Sequence, residues 1–145
     1  MTSINHRSLQ VFNHLIKQLA HKEYIRFAAT GIAPLSFECI GELYCMYGHA
    51  KKYSLMQTFT QNGELMLHPE ICFFHFVTNG QNDLTGVYAY YYRLDLLGIC
   101  QQSISISNKG DLEVQVCLQR QHTSFADNWL WNINEQGFLN NKIKD

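Results

Sequence analysis

The chain has 145 residues, of which 46% are apolar, 13% aromatic and 16% charged. A chain of this length can bury a core without disulfides or metals, and this composition excludes the disordered and coiled-coil classes. The formal net charge of −1 gives no overall field that would attract nucleic acid or an anionic membrane. We therefore expect one folded domain over residues 1–145.

The five cysteines and the polar N-terminus indicate the cellular environment. The cysteines are scattered, odd in number and never spaced as CxxC, which favours free thiols over a disulfide framework or a zinc site. The first ten residues lack the apolar core of a signal peptide, and no apolar run is long enough to span a membrane. We expect a cytoplasmic protein without a bound metal or cofactor.

The N-terminal segment is predicted to be an amphipathic helix over about residues 5–22, with Thr2 or Ser3 as its cap. Its apolar residues recur at helical spacing: Leu9, Phe12, Leu15, Ile16 and Leu19. Residues 23–34 contain a glycine and a proline that break a helix, so we predict a connection there.

Between about residues 35 and 118 the pattern changes to short alternating runs typical of strands. The first two runs, "LSFECI" and "ELYCMY", read as separate strands. Asn62 and Gly63 predict a tight hairpin turn, because both central positions of such a turn need positive φ. Pro69 lacks a ladder donor and is predicted to interrupt pairing. The runs "ICQQSISIS" and "LEVQVCLQ" are predicted to form the last hairpin of the sheet.

A second helix is predicted over about residues 123–136, capped by Thr123 or Ser124. One arc of this helix is apolar and suits packing on a sheet: Phe125, Ala126, Trp129, Leu130 and Ile133. Gly137 suits the left-handed residue after the helix, and Trp131 projects among polar residues. Together the elements predict an α+β fold: a twisted antiparallel meander of six to seven strands with both helices on one face.

Three segments in the order "TFTQNGELMLHPEICF", "YYRLDLLGICQQ" and "FADNWLWNINEQGF" resemble an uncharacterised family of short proteins from plasmids, conjugative elements and phages. The resemblance covers roughly residues 52–138. Residues that match its pattern are Asn62, Gly63, Pro69, Glu70, Asp95, Gly98, Phe125, Trp129, Asn132, Gln136 and Gly137. It implies a mobile genetic element as the source, and it implies no activity.

Candidate chemistry is sparse in this sequence. Glu70 and Asp95 could lie on adjacent strands as an acid and base pair, although local bonds to backbone amides favour a structural role. No nucleophile elbow, glycine-rich phosphate loop or metal-ligand motif is present. In "VYAYYYR", alternation places Tyr88, Tyr90 and Tyr92 on one face, where they could bind a partner or pack across strands.

These observations favour a non-enzymatic interaction protein that binds a host macromolecule through Tyr88, Tyr90, Tyr92 and Trp131. Inhibition of a host defence system, such as CRISPR or restriction, is an extension by analogy. The alternatives are a module that binds a small ligand or single-stranded nucleic acid, and an enzyme using Glu70 and Asp95. A host protein or nucleoprotein is the expected partner, nucleic acid is less favoured, and an exposed strand edge also allows a homodimer.

Overall fold

A computed structural model describes residues 1–77 and 85–143 of the chain, without the side chains of residues 61 and 65–68. The elements follow one another as helix α1 (His6–Leu19), strands β1 (Tyr24–Ala29), β2 (Ile32–Cys45), β3 (Gly48–Gln61), β4 (Glu64–Phe76), β5 (Gly86–Leu94), β6 (Ile99–Gln102), β7 (Ile104–Ile106) and β8 (Leu112–Val114), and helix α2 (Val116–Glu135). Strands β1 to β6 form one antiparallel sheet in sequence order, and β7 pairs with β8 in a small second sheet. The predicted α+β class and meander are confirmed.

Helix α1 begins after Asn5, whose side-chain oxygen accepts a hydrogen bond of 2.8 Å from the backbone N–H of Ser8. The predicted cap at Thr2 or Ser3 is therefore wrong by two or three residues. An asparagine at the cap position satisfies one of the backbone donors that the first helical turn leaves unpaired. The apolar stripe of α1 then packs on the sheet, as its spacing predicts.

The predicted connection over residues 23–34 is wrong, because this segment contains β1 and the start of β2. Ile25 and Phe27 are buried while their neighbours are not, which is the alternation of a half-buried strand. Gly31, with φ of 75°, allows the tight turn into β2. The alternating pattern of β1 is short, and Gly31 marks a turn between two strands.

Strands β2, β3 and β4 are longer than predicted, because irregular pairing replaces two expected breaks. Gly41 follows a bulge that lets β2 continue through both "LSFECI" and "ELYCMY". Pro69 lies where the register shifts between the pairs Met56 with Glu70 and Thr58 with Leu67. The predicted interruption at Pro69 is wrong. A residue in a bulge needs no backbone N–H for the ladder, so a proline can lie there and the strand continues.

The Asn62–Gly63 turn is confirmed: it joins β3 to β4 with φ of 53° and 82° at the two residues. Left-handed backbone at both positions is what a two-residue hairpin of this twist requires. This turn allows β3 and β4 to pair from Gln61 with Glu64 onward.

Helix α2 begins at Val116, seven residues before the predicted start, and the predicted cap at Thr123 or Ser124 is wrong. The backbone N–H of Gln115 bonds to the carbonyl of Ser103 at 2.9 Å, directly before α2 begins. The N-terminal part of α2 buries the polar residues Gln119 and His122. Because these residues are not apolar, the sequence shows no apolar stripe there that would predict a helix.

The end of α2 agrees with the prediction. Gly137 has φ of 80°, and Phe138 folds back with no exposed surface into the core that contains Trp129. Phe125, at the edge of that core, is half-buried. Residues 141–143 continue along the outer edge of β1, where Ala28 donates to the carbonyl of Asn141 at 3.0 Å.

Both faces of the main sheet are covered, and this arrangement decides which residues remain accessible. Helices α1 and α2 cover one face, called here the helix face, around Phe12, Phe73 and Leu130. The β7–β8 sheet packs on the opposite face through Ile104.

Candidate functional site

The predicted tyrosine surface is buried. Tyr88 and Tyr90 lie on the face opposite the helices, as alternation indicates, but only 7% and 9% of their surface is exposed. The Tyr90 ring stacks on Phe74 with a centroid distance of 3.9 Å. Ile104 of β7 belongs to the same buried cluster, with residues of β8 packed against it. The expectation that this face is open is wrong, because the last hairpin folds over it as a second sheet.

Tyr92 is on the other side of the sheet from Tyr88 and Tyr90. A bulge in β5 lets Cys72 pair with Tyr91 and Phe73 with Ala89, which shifts the alternation by one residue. Tyr92 therefore reaches the helix face, where its ring meets Phe125 of α2 at 4.9 Å. The predicted ladder of three tyrosines on one face is wrong for this reason.

Trp131 is half-buried beneath an arginine side chain. The guanidinium of Arg7 lies over the Trp131 ring at 4.0 Å from its centroid, a cation–π contact between the two helices. A small cleft of about 220 Å³ lies beside this contact, with His14 and Asn134 among its walls. Trp131 joins α1 to α2 among polar neighbours, as its place on the helix predicts, and its role in binding a partner stays a prediction.

Glu70 and Asp95 each have a partner of their own. The Glu70 carboxylate accepts a hydrogen bond from the Ser54 hydroxyl, and the Asp95 carboxylate accepts one of 2.7 Å from Nε of Arg93. Gly98, with φ of 66°, donates its N–H to the Asp95 carbonyl at 3.0 Å. Asp95 thus forms the predicted local turn with Gly98, whereas the Glu70 carboxylate contacts a side-chain hydroxyl of the neighbouring strand, where bonds to backbone amides were predicted.

Cys72 is the most strongly perturbed thiol of the described chain. Burial, followed by the charge of Glu70, raises the pKa of Cys72 to about 12. At neutral pH this thiol is protonated, and only the thiolate is a good nucleophile. Cys100 is exposed and its Sγ lies 3.2 Å from the Tyr91 hydroxyl. The five cysteines are free thiols, which agrees with the sequence prediction.

A serine and histidine pair is formed that sequence patterns do not predict. The Ser103 hydroxyl lies 2.7 Å from Nδ1 of His122, and Nε2 of His122 lies 3.3 Å from the side-chain oxygen of Gln101. Ser103 and His122 are 1% and 2% exposed, so a substrate has no access to them. The pair instead joins α2 to the chain as it passes from β6 to β7.

The stability of the fold should fall as the pH is lowered from 7 to 5. Burial lowers the pKa of His122, and burial with the charge of Lys51 lowers the pKa of His75, both below the ordinary value of 6.5. The unfolded chain therefore binds more protons below about pH 6.5, and stability present above that pH is lost as the pH falls through it. Urea unfolding midpoints measured at pH 5, 6, 7 and 8 test this.

The variant His122→Asn should show a shallower decline between pH 7 and 5, because one of the two histidines with a lowered pKa is gone. Asparagine can still bond to Ser103 and cannot take up a proton in this range. An identical decline in the variant and the natural protein would contradict a role for His122.

The C-terminal half of β2 is one part of the sheet with an unpaired edge. Strand β1 pairs with β2 only as far as Glu38, and Cys39 donates its N–H to the carbonyl of Glu23 at 2.8 Å. Gly41 to Cys45 of β2 are paired with β3 on the inner side, and Ile40 lies in the bulge before them. Within residues 1–77 and 85–143 no strand pairs with the outer side of residues 40–45. We call residues 40–45 of β2 the free edge.

Exposed apolar side chains are concentrated at the free edge and in the turn after it. Tyr44 is 73% exposed, Met46 53% and Ile40 43%. The Tyr44 ring stacks on His49 of β3 at 4.4 Å, and its hydroxyl donates to the Glu42 carboxylate at 3.3 Å. Tyr44 is therefore held in place by two contacts while most of its surface meets solvent.

A cleft of about 790 Å³ lies between the free edge and the C-terminal end of α1. Ile16 and Leu19 of α1 form its apolar wall, and Tyr53 of β3 is at its base. Glu42 of β2 pairs with Lys51 of β3, and Lys51 pairs with His75 of β4. A row of titratable side chains thus crosses β2, β3 and β4 beside the free edge.

The polypeptide bends sharply where α1 ends at this cleft. Ala20 has φ of 54° and ψ of −119°, a conformation that residues with a side chain rarely adopt. Its N–H bonds to the Ile16 carbonyl, and Lys22 donates to the Leu19 carbonyl at 3.0 Å. After the bend, residues 20–23 line the cleft opposite the free edge.

Sequence reasoning missed the free edge, although its residues were recognised as a strand. The run "ELYCMY" predicts strand structure, and its alternation does not tell whether a neighbour covers the outer side. The only local signal is the cluster of large apolar residues, Tyr44 and Met46, before the turn at Gly48.

Within the described part of the chain, no three His, Cys, Asp or Glu side chains are grouped so that they could hold a metal ion. Neither α1 nor α2 is long and apolar enough to cross a membrane.

The chain matches the family model described as Domain of unknown function (DUF6908) over residues 7–139, and it belongs to that family. This confirms the part of the predicted resemblance that concerns a family without assigned activity. No curated protein and no solved structure matches the chain.

Proposed function

We propose that this member of the family is a non-enzymatic interaction protein that accepts an extended segment of a host protein as an added strand on the free edge of β2. The observation that carries the proposal is the six-residue stretch from residue 40 to Cys45, whose outer side has no strand neighbour among the residues that the structure describes. Unpaired strand edges bind extended peptides through main-chain hydrogen bonds, and adjacent side-chain sites provide specificity.

The length of the free edge supports the proposal. Six residues span about 20 Å at roughly 3.3 Å per residue, enough to pair with a short peptide segment. By contrast, part of the outer edge of β1 is occupied by residues 141–143, which bond to Arg26 and Ala28. The other terminal strand, β6, has only four residues.

Exposed Tyr44 would be the main side-chain contact. Tyrosine is enriched among residues that dominate binding energy, because a rigid ring provides a large contact area at low conformational cost. Stacking on His49 and the bond to Glu42 restrict the ring before binding. A restricted ring loses less entropy when a partner covers it.

A host protein is the partner that we propose, because the chain resembles proteins of plasmids, conjugative elements and phages. Proteins of such elements meet host defence systems, and a component of a CRISPR or restriction system is one partner of the proposed kind. The cytoplasm, where free thiols persist, is the proposed location.

The two other functions considered from the sequence have less support. A stacking platform for single-stranded nucleic acid needs open aromatic rings, and Tyr88 and Tyr90 are covered. An acid and base pair needs available carboxylates, and those of Glu70 and Asp95 are bonded to Ser54 and Arg93.

Replacing Tyr44 with alanine should weaken partner binding by roughly tenfold or more, because truncation of a central interface tyrosine typically costs over 1 kcal/mol. Affinity capture from host cells with the natural protein and the variant provides candidate partners, and titration with each purified candidate gives the affinity. The substitution should leave folding intact, since Tyr44 is 73% exposed.

Leu97→Ala is the matched control, because Leu97 is 68% exposed and lies in the turn between β5 and β6. A partner supports the proposal only if it is lost with Tyr44→Ala and kept with Leu97→Ala. Equal binding to all three proteins would overturn the assignment of the free edge.

A further inference from the structure

We infer that the segment accepted by the free edge alternates basic and apolar side chains, with the basic residues on the helix face and the apolar residues on the opposite face. This inference rests on the proposed function and names the chemistry of the partner. The inference is based on the side chains of β2 that would neighbour a new strand on each face of the sheet.

On the helix face, the direct neighbours of an added strand would be Glu42 and Tyr44. Adjacent strands lie about 4.8 Å apart, so Glu42 would be a cross-strand neighbour, while Lys51 of β3 would lie about twice as far away. The exposed Glu42 carboxylate would therefore act on the new strand more strongly than the Lys51 ammonium.

The cleft beside the free edge adds further negative charge on the side where the new strand would lie. Glu23, Glu38 and Glu42 are among the residues that line this cleft, together with Lys22 and Lys51. The C-terminal end of α1 also faces the cleft, and helix C-termini carry partial negative charge. One lysine already binds the C-terminal end of α1: Nζ of Lys142 donates a hydrogen bond of 3.0 Å to the Gln18 carbonyl.

On the opposite face, the neighbours of an added strand would be Gly41, Leu43 and Cys45. Leu43 and Cys45 are half-buried at the margin of the core that contains Ala50. Gly41 has no side chain, and the methylene chain of Lys52 lies 3.3 Å from the position of an added Cβ. An apolar side chain of the partner would thus contact Leu43 and the apolar stem of Lys52.

A second copy of the chain fits the free edge less well. Antiparallel pairing of two identical edges would bring the Glu42 carboxylates of both copies onto neighbouring positions of the joint sheet. Like charges at such positions are destabilising, whereas lysine or arginine opposite Glu42 is stabilising.

The test uses short synthetic peptides labelled with a fluorophore, whose binding is followed by anisotropy. One peptide of seven residues alternates lysine and valine, and a second alternates glutamate and valine. A third has the same four lysines and three valines in two blocks, which keeps the charge and removes the alternation. We expect the alternating lysine peptide to bind at least tenfold more tightly than either of the others.

Charge reversal at the free edge provides the matched protein variants. Glu42→Lys should weaken binding of the alternating lysine peptide by about tenfold and strengthen binding of the glutamate peptide. Glu135→Lys changes the same charge at an exposed position near the end of α2 and should bind all three peptides like the natural protein. Equal effects of both substitutions would overturn the inference.

Two further outcomes separate this inference from the proposed function. If no peptide binds, but a captured partner is lost with Tyr44→Ala and kept with Leu97→Ala, the proposed alternation is wrong and strand addition stands. If analytical ultracentrifugation shows a dimer that Glu42→Lys abolishes, the occupant is a second copy and the inference is wrong. Methylating alternate backbone nitrogens of the lysine peptide on one edge only should abolish its binding, since those N–H groups would donate to β2.

Discussion

Replacing Phe12 with alanine should lower the free energy of unfolding by about 3–5 kcal/mol, the range for a buried aromatic residue. The Phe12 ring has no exposed surface and meets the rings of Phe37 and Phe73 edge-on at 5.6 and 5.2 Å. It lies between α1 and several strands, so the layers cannot close the cavity without losing other contacts. Urea unfolding followed by circular dichroism measures the loss.

Tyr44→Ala is the control for this experiment, because it also removes an aromatic ring but from a side chain that is 73% exposed. Surface substitutions of this kind usually change stability by less than about 0.5 kcal/mol. A loss below about 1.5 kcal/mol for Phe12→Ala would contradict the packing described for the helix face.

Replacing Tyr90 with alanine should destabilise the fold by about 3 kcal/mol, so that any loss of binding by this variant would follow from loss of structure. The Tyr90 ring is 9% exposed and stacks on Phe74 at 3.9 Å. Burial and the neighbouring Cys72 raise the pKa of the Tyr90 hydroxyl, which keeps it protonated. The free energy of unfolding, measured as for Phe12→Ala, tests this.

Tyr90→Phe keeps the stacked ring and removes only the hydroxyl, so it should cost about 1 kcal/mol. Tyr24→Ala, at a tyrosine that is 39% exposed, provides a second comparison. The result that contradicts the burial of this face is a Tyr90→Ala protein that is as stable as the natural one and yet fails to bind its partner.

Local patterns predicted the helices and most strands because their signals are confined to a few residues. The stripe of α1 repeats over four turns, the Asn62–Gly63 turn needs two residues with positive φ, and Gly137 ends α2 with Phe138 folded back. Each of these features depends on backbone conformation and side-chain periodicity within about fifteen residues.

Bulges account for several of the errors. A bulge shifts the alternation of side chains by one residue, and no local signal in "VYAYYYR" places one there. For that reason Tyr92 is on the helix face and Tyr91 joins the face of Tyr88. Bulges also let β2 continue past Gly41 and β4 continue past Pro69, where the sequence predicted that strands end.

The candidate site was the least predictable feature, because exposure depends on how separate elements pack on one another. Tyr90 is covered by Ile104, which lies in the neighbouring small sheet, and Trp131 by Arg7, more than one hundred residues earlier. Glu42 and Tyr44 stay open because β1 begins only at Tyr24 and pairs no further along β2 than Glu38.

By itself the sequence determined the α+β class, the amphipathic face of α1, the apolar arc in the second half of α2 and the Asn62–Gly63 turn, since short-range periodicity and glycine or asparagine conformation govern these. Tertiary structure alone decided which strand edge and which aromatic rings meet solvent. Those properties depend on where the ends of α1 and β1 lie against β2, and on the folding of the last hairpin over the sheet. Such contacts join residues far apart in the chain, so no local pattern records them.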